Sequence, residues 1–166
     1  MNKWTGYQLL VCIALIIGAM IFEAMGIDFA VQPGDSTGFF GSQLLILFGF
    51  LVLSGLISLI FLFQTKKSDT FLKHPAWKKM LGIIFVWFIL SFIGLILLFE
   101  NDFLYPLTGA NRVIFYVILY YFIFLFQLLM IAGVHKFSDR TVSAEIQIER
   151  AFAITALFAA ILVFVV

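Results

Sequence analysis

Residues 65–79, TKKSDTFLKHPAWKK, carry five lysines, half of the chain's ten basic residues. They separate two runs, 44–63 and 80–99, in which no charged side chain occurs. Each run has 20 residues, and a helix of that length covers about 30 Å, the thickness of a bilayer's hydrocarbon core. A polar, lysine-rich loop between two such runs is the pattern of a chain crossing a membrane and returning.

Working outward, residues 113–134 form a third chargeless run, and 7–27 form an apolar run broken only by Gln8 and Glu23. The run over 7–27 is read as an anchor; its other reading is a signal peptide with Ala24 and Gly26 at the cleavage site. The last apolar stretch, 151–166, has 16 residues, about 24 Å of helix. It reaches across if Ile146, Ile148 and the stems of Glu149 and Arg150 enter the interface, or if the bilayer thins locally, with Asp139 or Thr141 predicted to cap the helix. The expected fold is an all-α integral membrane protein: one domain, a bundle of five transmembrane helices over about 7–27, 44–63, 80–99, 113–134 and 147–166. The rival is four spans plus a buried C-terminal segment.

Composition agrees. With 64% hydrophobic and 11% charged residues, the chain has too little polar sequence to coat a soluble core. A net charge of +1 leaves no basic face for nucleic acid. Cys12 is the single cysteine, so no internal disulfide forms and no metal site is expected. His74 and His135 both fall in predicted loops, whereas haem ligation calls for histidines inside spans. No cofactor is expected.

Orientation follows from the basic residues. With the N-terminus in the cytoplasm, Lys3, Lys66, Lys67, Lys73, Lys78, Lys79, Lys136, Arg140 and Arg150 fall inside and only Arg112 falls outside. That satisfies the positive-inside rule and puts the C-terminus outside. Trp4, Tyr7 and Trp77 are expected at the inner interface and Tyr105 at the outer one, where amphipathic rings are favoured.

Glu23 is the one ionisable group inside a span, about 6 Å from its outer end. It pairs with Arg112, reaches the headgroups, or serves as a proton or cation site. Asp28, Asp35, Glu100 and Asp102 share the outer side and are read as solvated loop charges, with oxygen ligation or acid–base work as the sharper alternative. Gln127 lies within the fourth span, where a buried amide seeks a partner on a neighbouring helix. With Tyr116, Tyr120 and Phe124 it forms one helix face, read as packing rather than as a lipid or quinone track. Lys66, Lys67, Lys73, Lys78 and Lys79 fix topology and also offer contacts to anionic lipid headgroups. The pairs Ala14/Gly18, Ser54/Ser58, Ser91/Gly94 and Ala156/Ala160 mark expected helix contacts.

Nucleophile, P-loop, dinucleotide and metalloprotease signatures do not occur in usable form. The expected function is a non-catalytic accessory or assembly subunit in the plasma membrane of a bacterium or archaeon. Its partners are lipid and other membrane chains or copies of itself. The alternatives are a small oligomeric transporter or channel using Glu23, and an enzyme acting on lipid-linked substrates at the outer face.

Overall fold

The computed structural model describes residues 3–24, 36–68, 70–100, 112–139 and 141–165, with backbone alone at 22–24, 36–42, 99, 112–113 and 165. Five helices make up the described regular structure: α1 Lys3–Ala24, α2 Ser36–Lys67, α3 Trp77–Glu100, α4 Arg112–Phe137 and α5 Ala144–Val165. All five are long and apolar enough to cross a membrane.

The helix boundaries have local causes. Lys66 and Lys67 occupy the last turn of α2 and His135 and Lys136 that of α4, each placing basic groups on the negative end of the helix dipole. Pro75 precedes α3, and the backbone N–H groups of Trp77, Lys78 and Lys79 bond His74, Pro75 and Ala76 carbonyls in tight turns. Ser143 caps α5, its Oγ accepting from Ile146 N–H at 3.4 Å, with Glu145 in the first turn. The cap expected at Asp139 or Thr141 is therefore at Ser143; the Asp139 carbonyl instead closes a turn with Val142 N–H. An earlier start gives α5 22 residues, about 33 Å, enough for a full crossing. α2 is longer than expected: it begins at Ser36, eight residues before the expected span over 44–63.

Three helices form the centre. α5 packs between α2 and α4, which also touch each other; α1 lies mainly on α2 and α3 on α4. The core joins Leu53, Ile57 and Phe61 of α2, Ile123, Ile131 and Ala132 of α4, and Ile148 and Ala151 of α5. Ala151, Thr155 and Ala159 recur every four residues on the buried stripe of α5, so the backbones approach closely. The expected Ala156/Ala160 pair lies beside that stripe, both residues half-buried. On α2 the Gly55 backbone lies against the Phe152 ring of α5, and the expected Ser54 and Ser58 are buried beside it. α1 is tied in by two polar links: Tyr120 Oη donates to the Leu15 carbonyl at 3.0 Å, and Gln8 Nε2 donates to Gln64 Oε1 at 3.0 Å.

One end of the bundle gathers the lysines. Trp4 stacks on Phe63 at 6.0 Å, Lys66 Nζ lies 3.8 Å from Glu145, and Trp77 meets His135 edge-on at 5.9 Å. The start of α1, the end of α2, the start of α3, the end of α4 and the start of α5 thus share a side. Trp77, the first residue of α3, is 5% exposed and packs against Phe71 and His135. His135 belongs to α4 rather than to a loop.

Candidate functional site

Most of the acidic candidates lie where nothing can be built on them. Asp28, Asp35 and Asp102 fall outside the described residues, and Glu23 and Arg112 are described in backbone only, near the end of α1 and at the start of α4. Glu100 is the last residue of α3 and is exposed.

Gln127 sits at the centre of the bundle, 0% exposed, and neither Nε2 nor Oε1 has a hydrogen-bond partner. Its neighbour Phe126 meets Phe158 of the antiparallel α5 at 5.1 Å, placing Gln127 about half a turn from Thr155 along the helix axis. The hydroxyls of this layer turn back onto their own helices. Thr155 donates to the Ala151 carbonyl at 2.9 Å, Ser58 to the Ser54 carbonyl at 2.8 Å, and Ser54 to the Leu51 carbonyl at 3.2 Å. An amide one carbon longer does not reach its own backbone so readily, and it is left over.

An apolar cavity of about 230 Å³ opens between α2 and α4, lined by Leu45, Phe50, Leu53, Phe115, Tyr116 and Ile123 among others. It ends at Ile123, one turn from Gln127. Its wall is hydrocarbon and aromatic, suited to an alkyl or aromatic group and offering little to a polar one. Tyr116, Tyr120, Phe124 and Gln127 divide their roles: Tyr116 and Tyr120 line this cavity, Phe124 stacks on Phe61 at 5.6 Å, and Gln127 is enclosed.

On the outside of the α3–α4 pair lies a second polar group. Tyr121 Oη accepts from Trp87 Nε1 at 2.9 Å and shares a hydrogen bond with Ser91 Oγ at 2.7 Å. Trp87 is 56% exposed and Tyr121 39% exposed, and both sit near the middle of their helices. Gly94, one turn beyond Ser91 and on the same flank, has open space where a Cβ would stand.

The five lysines of the loop region separate by role. Lys66 faces Glu145 and lies 5.5 Å over the Trp4 ring, while Lys67 and Lys79 are exposed. Lys73 and Lys78 line a cavity of about 510 Å³ whose wall also includes His74, Trp77, His135, Lys136, Asp139 and Gln147. His135 Nδ1 bonds Gln147 Oε1 at 2.8 Å, and Gln147 Nε2 donates to the Val142 carbonyl at 3.0 Å. Sequence reasoning used Lys136 only to fix orientation, placed His135 in a loop, and gave Gln147 no role. The stretch 135–150 is polar with a single amide, Gln147, and composition alone does not separate it from a solvated loop.

Together these features define a five-helix bundle of membrane-crossing length, with a basic cavity at one end and a small polar group on one flank. No family model matches the chain, and no curated protein or solved structure matches it either.

Proposed function

We propose that this is a multi-pass integral protein of a bacterial or archaeal plasma membrane, with the lysine-bearing end in the cytoplasm, that acts as an accessory or assembly subunit. The observation that carries this reading is the hydrogen-bonded Trp87–Tyr121–Ser91 group, exposed at mid-depth beside open Gly94. Tyr and Trp are favoured at membrane interfaces, where their polar atoms meet water. At mid-depth, lipid tails offer no such partner, whereas another helix brings polar side chains and close packing against glycine. α3 also packs on α4 alone within the described bundle, leaving its flank available to a helix of another chain.

The test is a photo-crosslinking residue at Leu90, exposed on this flank, combined with native mass spectrometry of the protein in mild detergent. A second membrane chain, captured from Leu90 and present in fixed stoichiometry in the native complex, is expected. Gly94→Leu should abolish both signals while leaving the monomer folded, because no atom lies within 4 Å of the added Cβ. A species of one chain only, crosslinked to lipid alone, would sink the proposal.

A further inference from the structure

The cavity at the lysine-bearing end belongs to no part of that reading. It lies between the 70–76 turn, the starts of α3 and α5, and the end of α4, and its volume of about 510 Å³ is within the range of small-molecule sites, about 300–1,000 Å³. Three ammonium groups, those of Lys73, Lys78 and Lys136, face one carboxylate, Asp139. The cavity is therefore electropositive whatever the state of its two histidines. Leu72, Trp77, Val142 and Ala144 supply an apolar wall beside them.

His135 is held in a defined state within this cavity. Gln147, 6% exposed, uses its Nε2 to donate to the Val142 carbonyl at 3.0 Å. Its Oε1 is then the atom that faces His135, and an oxygen only accepts. Nδ1 of His135 must carry the proton of that 2.8 Å bond, so Nε2 is the nitrogen left for a ligand. The ring is also fixed edge-on to the buried Trp77. His74 is arranged the opposite way: its Nδ1 accepts from Ala76 N–H at 3.3 Å, leaving Nε2–H as its remaining donor. Three lysines and a second imidazole with a spare N–H supply donors, and the imidazole oriented by the buried amide presents Nε2, an acceptor in the neutral ring and a donor in the protonated one.

We infer that this cavity binds a phosphate group, with Lys73, Lys78 and Lys136 balancing its charge and His74 Nε2–H and the oriented His135 ring bonding its oxygens. His135 Nε2 accepts from a protonated phosphate oxygen in the neutral ring and donates to a bare oxygen in the protonated one. The phosphate arrives either on an anionic lipid headgroup, whose glycerol lies along the Trp77 and Leu72 wall, or on a small soluble ester. Lys66, Lys67 and Lys79, which the sequence groups with Lys73 and Lys78, take no part.

The chain's two histidines both line this cavity, so imidazole nitrogen resonances read it directly. The full chain, labelled at histidine, is placed in phosphatidylcholine nanodiscs and titrated with inorganic phosphate and with glycerol phosphate; a parallel sample contains phosphatidylglycerol. The His135 ring should shift saturably with at least one source. A response to the lipid alone assigns a headgroup, and a response to the soluble esters assigns a free ester. Lys78→Gln and Lys136→Gln should each weaken binding about fivefold, the scale of one basic group near an anionic surface. Lys67→Gln and Lys79→Gln should leave it unchanged. Gln147→Leu should weaken it through the freed ring without moving the helical circular dichroism. Silence of the His135 ring toward every source, or an equal effect of Lys67→Gln and Lys78→Gln, overturns the assignment.

Discussion

Replacing Gln127 with methionine should make the protein more stable. The amide brings two N–H donors and one carbonyl oxygen into the centre of the bundle, and none of them is met. The nearby hydroxyls of Ser54, Ser58 and Thr155 are already committed to their own helices. An unmet buried polar group costs about 1–3 kcal/mol. Separated helices in a membrane or micelle still find partners for such a group, so folding is what strips them away. Methionine matches the length of glutamine, is unbranched, and adapts to the same space at little packing cost. The expected gain is about 1–2 kcal/mol, or about five- to thirtyfold in the unfolding equilibrium. Equilibrium unfolding in mixed micelles at rising dodecyl sulfate, followed by helical circular dichroism, measures it. Ser54→Ala serves as the control and should stay within about 0.5 kcal/mol, since a back-bonded hydroxyl contributes little. A loss of 1 kcal/mol or more in Gln127→Met would show that the amide is bonded in the folded protein and would refute the argument.

Tyr120→Phe removes the hydroxyl that bonds the Leu15 carbonyl and should cost about 1 kcal/mol, typical of hydrogen bonds between membrane helices. Amide exchange should rise along α1 but not along α5. Trp77→Ala empties a nearly fully buried site under the lysine loop and should cost about 3–5 kcal/mol in the same unfolding assay. The histidine resonances of His135 should move with it, because the ring loses its edge contact.

The five apolar helices were legible because lipid-length runs such as 44–63 and 80–99 are longer and more uniform than anything a soluble core contains. Their ends were less so. α2 begins at Ser36 and α5 at Ala144, in stretches where glycine, serine and glutamine hide the period, and the Ser143 cap looks no different in sequence from Thr141. Small residues pointed to contacts but not to faces: Ala156 and Ala160 were as plausible as Ala151, Thr155 and Ala159 until α5 had neighbours. The basic cavity was hidden for a different reason. Lys73, Lys78 and Lys136 come from segments more than fifty residues apart, joined only once α3 lies on α4. Counting charges by side gives their sum, but the separation of Lys66 from Lys73 depends on which helix each one faces.

The middle position of α5 has a consequence for how the bundle is made. A ribosome releases α1 to α4 first, and until the fifth rod arrives the seat it will occupy along α2 and α4 stays open, with Gln127, Ser54 and Ser58 beside it. Closure therefore waits on the latest of the five segments to leave the tunnel. A chain cut anywhere before residue 144 would present that unfilled seam to quality-control proteases.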